Sequence, residues 1–185
     1  MRRQKDRTFF LYFATPHIHH PFTPGAAFKG TSDCGAYGDF IHEFDWMVGE
    51  LMRTLDELKL RENTLVILTS DNGGMLNQGG QDAVKAGHRL NGDLLGFKFD
   101  AWEGGHRVPF IAHWPAAIGK DKAAGRFVRE PAHLIDLMAT CVDIADTKYP
   151  AEWNGTNILP IEGISLRPLL SPLSNPAPSL PPRLL

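Results

Sequence analysis

A helix-length amphipathic segment running without pause into an apolar strand is what most restricts the fold of this chain. From about Asp39 to Leu60, the apolar residues Phe40, Ile41, Phe44, Met47, Val48, Leu51, Met52, Leu55 and Leu58 recur at three- and four-residue steps with charges between them. That is the period of a helix with one buried face. Arg61-Glu-Asn63 follows as a turn, then Thr64-Leu-Val-Ile-Leu-Thr69 as a buried strand. Helix, tight turn and apolar strand in succession are the wiring of a parallel α/β sheet.

Other segments fit that scheme. Thr8 to Ala14 is a continuous, aromatic-rich apolar run and predicts a strand buried on both faces. Such a strand needs neighbours on either side, so its place at the very start of the sequence suggests that the first half of the domain is missing. Val108 to Trp114 predicts a third strand. Ala132 to Ala145 predicts a second helix, with Leu134, Ile135, Leu137, Met138, Cys141 and Val142 on its buried side. Residues 15–38 and 70–105 predict loops, and a loop as long as the second is uncommon unless it has a function. Residues 1–170 are expected to form one partial catalytic domain, and the Pro- and Ser-rich residues 171–185 a disordered tail.

With 185 residues the chain can bury a core, and a net charge of −2 leaves no basic footprint for nucleic acid. No apolar run reaches the roughly 18 residues that a membrane-spanning helix requires, and no signal-peptide core is present. Cys34 and Cys141 sit in no C-x-x-C pattern. They are either a disulfide or two unrelated thiols, and the second is favoured because free cysteine packs as a small hydrophobe.

Three clusters carry side chains suited to chemistry. Pro16-His-Ile-His-His-Pro21 follows the first apolar run, and Ser70-Asp-Asn-Gly-Gly74 follows the second. In parallel α/β sheets, ligands bind beyond the carboxyl ends of strands. Asp71 and Asn72 offer hard oxygen donors for Ca²⁺ or Mg²⁺. The third cluster runs from Gly96 to Pro109 and holds Lys98, Glu103, His106 and Arg107, of which the lysine and the arginine can hold an oxyanion. Each also has a plainer reading: histidines in a solvent-exposed loop, an Asp-Asn-Gly turn, and a solvated loop with a salt bridge. On one sheet edge, the three together would suit hydrolysis of an anionic ester. There a metal would stabilise charge, a histidine would move a proton and a lysine would hold the oxyanion.

Four stretches together resemble the sulfatases of the alkaline-phosphatase-like superfamily. These are Phe9-Phe-Leu-Tyr-Phe-Ala14 with His19-His-Pro21; Tyr37-Gly-Asp-Phe-Ile41 through Thr69-Ser-Asp-Asn-Gly73; Gly96-Phe-Lys98 with Trp102-Glu-Gly-Gly-His-Arg-Val-Pro-Phe-Ile111; and His133-Leu-Ile-Asp136 with Gly163-Ile-Ser-Leu-Arg-Pro-Leu169. The resemblance implies an α/β fold with a mixed sheet flanked by helices, of which this chain is the C-terminal part, its N-terminal half missing. It implies sulfuric ester hydrolysis, a small-molecule or glycan sulfate ester as substrate, and no nucleic-acid or membrane partner. Relatives of this kind are usually periplasmic, secreted or lysosomal.

By the same resemblance, Asp71 and Asn72 are two ligands of the family's Ca²⁺, Lys98 lies on the sulfate group, and His19 lies near the leaving oxygen. Glu103 and Arg107 brace the loop, while His17 and His88 are given no role. The family's nucleophile is a formylglycine made from cysteine in Cys-x-Pro-x-Arg. Neither Cys34 nor Cys141 lies in that motif, and no Asp-Asp pair occurs anywhere in the sequence. The chain is therefore expected to be a truncated sulfatase, inactive by itself. The alternatives are an inactive fragment or pseudogene product, and a phosphate-ester hydrolase of the same superfamily.

Overall fold

The first long helix, α1, spans Gly35–Glu57, a few residues earlier than the periodicity alone predicts. Its start is held from outside: the Asp39 carboxylate accepts from Gly30 N at 2.7 Å and from Ser32 N at 2.9 Å, pinning the preceding loop. It stops at Lys59, which takes the left-handed conformation (φ 58°). There Leu60 N donates to Leu55 O at 2.8 Å and Lys59 N to Asp56 O at 2.9 Å. These two bonds close the helix end in the pattern usually built on glycine. The computed structural model describes residues 1–119, 125–170 and 180. Apart from Leu180, the segment expected to be a disordered tail lies outside the described residues.

After a 3₁₀ turn at Arg61–Asn63, strand β1 covers Val66–Thr69 and pairs with β2, Phe110–His113. Strand β1 is half-buried, not buried as expected, because among the described residues its sheet has only these two strands. Between them lie two helices that the sequence reading treated as loop, α2 (Gln78–Lys85) and α3 (Glu103–His106). The α2 start carries its own signal, because the Asn77 side chain accepts from Gly80 N at 3.0 Å as an N-cap. Beyond β2 come α4 (Pro115–Ile118), α5 (Asp136–Ile144) and a hairpin of β3 (Glu152–Trp153) with β4 (Thr156–Asn157). The hairpin turns on Asn154 and Gly155, both at positive φ (49° and 77°), which its two-residue loop demands. A mixed α/β architecture stands, as the sequence predicts.

Contacts gather into two units: Met1–Arg61 with Ile67–Ile111, and Glu62–Val66 with Ala112–Leu185. In the first, Tyr37, Phe40, Leu55 and Ala83 form the buried apolar core. Phe22 meets Tyr37 edge-on at 5.1 Å, and a Cβ on Gly79 would lie 2.3 Å from the Phe22 ring, so glycine lets α2 close over that ring.

Two further expectations fail. Residues 8–14 are not a strand: Phe10 and Tyr12 are 74% and 81% exposed, and the segment joins no ladder among the described residues. An apolar run becomes a buried strand only where hydrogen-bonding neighbours flank it, and the run itself does not reveal whether they exist. Leu11 and Phe13, one face of the segment, instead border a hollow of about 310 Å³ with Met47 and Leu51 of α1.

The second failure is the buried side of α5. Leu134, Ile135 and Met138 are exposed and Leu137, Cys141 and Val142 are half-buried, whereas Asp136 and Thr140 are fully buried. Asp136 accepts from His133 N (2.7 Å) and Ile164 N (3.0 Å), and Thr140 Oγ1 accepts from Leu166 N (2.9 Å) while donating to Asp136 O (2.7 Å). Ser165 donates to Asp143 at 2.5 Å, and Arg167 pairs with the same carboxylate at 3.2 Å. Here a hydrogen-bonded clamp, not an apolar stripe, fixes the helix against residues 163–167.

The Asp39 carboxyl is held below its ordinary value of 3.8, chiefly by the Gly30 amide, then by the Ser32 and Thr31 amides and by His42. Its ionised form therefore stabilises the fold above the ordinary carboxylate range. That contribution disappears as pH falls through the lowered folded value. Asp39→Asn should flatten the loss of thermal stability below about pH 4, measured as Tm across an acid series. An unchanged acid slope would count against this account.

Candidate active site

The turn after β1 presents the first candidate pair. Ser70 Oγ donates to Asn72 O at 2.9 Å, and Asn72 Nδ2 donates to Gly73 O at 2.9 Å. With its amide nitrogen so engaged, Asn72 keeps its Oδ1 lone pairs for another partner. The Asp71 side chain lies next to it and is exposed.

This turn is bound to the Lys98 loop through the backbone. Gly73 N donates to Gly105 O and Lys98 N to Gly74 O, both at 2.9 Å. Glycine makes the approach possible: a Cβ on Gly73 would sit 1.7 Å from Gly104 O, and one on Gly104 would sit 2.1 Å from Gly96 O. Within the loop, Gly104 N donates to Leu95 O at 2.7 Å, and Phe97 N to Asp100 Oδ2 at 2.7 Å. Lys98 is half-buried, and its Nζ lies 5.5 Å from the centre of the Phe99 ring. Glu103 and Arg107 form an exposed ion pair at 3.1 Å along α3.

Sequence reading missed Asn91 altogether. Its Oδ1 accepts from Gly74 N at 2.7 Å, and its Nδ2 donates to Gly96 O at 2.9 Å. Asn91-Gly92 reads as a plain turn, and Gly92 N does donate to Arg89 O at 3.1 Å. No periodicity marks the side chain as a bridge.

The histidine loop is organised differently. His17 is packed against α1, with its ring 4.3 Å from Phe40 and its Nε2 3.6 Å from a Glu43 oxygen. His88 packs at a tilt beside Tyr37, with ring centres 5.5 Å apart. Both are anchors in the fold. His19 is exposed, and its hydrogen bonds are local: His19 N donates to Pro16 O at 2.9 Å, and Nδ1 lies 2.6 Å from His20 O. A carbonyl can only accept, so Nδ1 carries the proton and Nε2 of the neutral ring keeps the lone pair. Thus backbone hydrogen bonds join the turn that follows Asp71 and Asn72 to the Lys98 loop, and His19 lies on the separate loop of residues 15–38.

Calcium takes six to eight oxygens. Asp71 and Asn72 supply two side chains, and among the described residues no group of three His, Cys, Asp or Glu gathers around a common point. These residues by themselves do not fit a complete calcium site. Cys34 and Cys141 are free thiols, the second shifted to a higher pKa by burial.

The sulfatase family model matches residues 1–147. This chain belongs to the sulfatase family. Among its sulfatase relatives, N-acetylgalactosamine-6-O-sulfatase of Bacteroides thetaiotaomicron is 39% identical over 153 residues, covering 80% of this chain and 29% of the relative. Rat steryl-sulfatase is 38% identical over 170 residues, covering 92% of this chain and 28% of that protein. A solved sulfatase from Bacteroides thetaiotaomicron glycosaminoglycan metabolism superposes with a TM-score of 0.69 at 34% identity, over 84% of this chain and 32% of that one. The chain thus spans less than a third of the length of these sulfatases. No helix among the described residues is long and apolar enough to cross a membrane.

Proposed function

We propose that this chain supplies one wall of the active site of a sulfuric ester hydrolase and is inactive when it is alone. The observation that carries the reading is the pair of backbone bonds, Gly73 N to Gly105 O and Lys98 N to Gly74 O, which holds Lys98 beside the Asp71–Asn72 turn. A sulfate ester is a tetrahedral anion, and an ammonium group at a fixed place beside it stabilises the charge that develops on its oxygens. Lys98 takes that role. His19 donates a proton from Nε2 to the ester oxygen as the S–O bond to the leaving group breaks, which calls for a ring protonated on both nitrogens, with Nδ1–H held on the His20 carbonyl. Asp71 and Asn72 contribute two of the ligands of a calcium ion whose remaining donors come from outside this chain. The formylglycine nucleophile comes from there as well, because neither cysteine here lies in Cys-x-Pro-x-Arg.

The substrate class we assign is a small-molecule or glycan sulfate ester. Relatives named for N-acetylgalactosamine 6-sulfate and for steryl sulfate support it, as does a structural neighbour solved with a neocarrahexaose. An extracytoplasmic setting for the whole enzyme goes with the same reading.

Two measurements test it. DNA upstream of Met1, translated in all frames, should encode Cys-x-Pro-x-Arg and an Asp-Asp pair. The purified chain should turn over an aryl sulfate no faster than its Lys98→Ala variant, whereas the same substitution in an enzyme carrying those upstream motifs should lower kcat/KM by about 10²-fold or more. Calcium-dependent turnover by the chain alone, abolished in Lys98→Ala, would overturn the claim of inactivity.

A further inference from the structure

We propose that Asn91 is a positioning residue that sets the separation between the Asp71–Asn72 turn and Lys98, and that it needs both ends of its carboxamide to do so. The proposal rests on the reading of that surface as a sulfatase half-site. Asn91 touches none of the candidate reacting groups. It takes the Gly74 amide at 2.7 Å on Oδ1 and gives Nδ2 to the Gly96 carbonyl at 2.9 Å.

These two partners are the residues that decide the geometry. Gly74 follows the Asp71–Asn72 turn, and its own carbonyl accepts from Lys98 N at 2.9 Å. Gly96, two residues before Lys98, takes φ +88°. One side chain therefore closes a ring: Asn91 to Gly74, Gly74 to Lys98, Lys98 back along the chain to Gly96, and Gly96 to Asn91. Asn91 is half-buried, and both of its bonds are partly shielded from solvent.

Only a group that accepts at one end and donates at the other fits this place. A carboxylate accepts at both ends and would set its second oxygen against the Gly96 carbonyl. A protonated carboxylic acid, in contrast, has one O–H donor and one acceptor and reproduces the amide. Asn91→Asp is therefore a substitution whose effect depends on pH, and that effect should fall on the Gly96–Lys98 side of the ring, which needs a donor, while the Gly74 bond, which needs only an acceptor, persists.

The test is amide hydrogen exchange at single-residue resolution on the full chain, expressed as protection factors, for wild type, Asn91→Asp and Asn91→Ala. At neutral pH, Asn91→Asp should keep Gly74 protected within about threefold and lower protection at Lys98 by about tenfold or more, with α1 amides unchanged within about twofold. Below the ordinary aspartate range near pH 3.9, protection of Lys98 in Asn91→Asp should return toward wild type. Asn91→Ala should lower protection at both Gly74 and Lys98. The proposal is overturned if Lys98 protection in Asn91→Asp stays at wild-type level at neutral pH, if its loss is not reversed by acid, or if α1 loses protection by the same factor. Should Asn91→Ala fail to fold, the near-isosteric Asn91→Asp still decides the matter. Failure of the sulfatase reading would appear instead as absent turnover in an enzyme carrying the upstream motifs, with these protection factors unaffected.

Discussion

Gly73→Ala is expected to tear the Asp71–Asn72 turn away from the Lys98 loop. The added methyl would have to sit 1.7 Å from the Gly104 carbonyl oxygen, against backbone that has no rotamer to move. Overpacking of a tight contact typically costs about 1–3 kcal/mol, and backbone against backbone belongs at the upper end or above. The Gly73 N to Gly105 O and Lys98 N to Gly74 O bonds should be lost with it. Protection of the Gly73 and Lys98 amides should collapse, and Tm should fall by several degrees. Gly49→Ala in α1, where an added Cβ meets nothing within 4 Å, is the control and should be neutral or slightly stabilising. Equal effects at the two positions would refute the packing argument.

Asp136→Ala should be the most damaging single change between Glu130 and Leu170. It removes the acceptor for two amides, His133 N and Ile164 N, and leaves a space where a fully buried carboxylate stood. Hydrogen bonds to a charged group contribute about 1.5–3 kcal/mol each, so a loss of about 3 kcal/mol or more is expected. Asp136→Asn keeps the shape and one good acceptor and should cost about half as much. Denaturant midpoints of the three chains give the ranking. A mild Asp136→Ala together with a severe Leu134→Ala would instead restore the apolar stripe that the sequence pattern suggests.

That contrast shows where sequence reasoning succeeds. The long helix was legible to within a few residues because its apolar period repeats over six turns, and the short apolar stretches at β1 and β2 were found because hydrophobic runs between turn residues are rare. The α5 face was misread because helical period marks which residues could be buried together but not what lies opposite. Here the opposite surface is the backbone of residues 163–167, which calls for acceptors. Of the candidate site, Lys98, Asp71 and Asn72 were reachable through family resemblance, and the structure adds the bonds that join their loops. Asn91 was not reachable, since a side chain that works by bonding two distant main-chain atoms leaves no local pattern.

The run from Phe10 to Phe13 bears on how the chain behaves when it is produced by itself. Four consecutive exposed apolar side chains on backbone without ladder partners form the kind of segment that recruits strands from other molecules. Its alternation, with Leu11 and Phe13 toward α1 and Phe10 and Tyr12 outward, leaves aromatic rings where a neighbouring molecule arrives first. Aggregation of the chain produced by itself is expected to start at this segment.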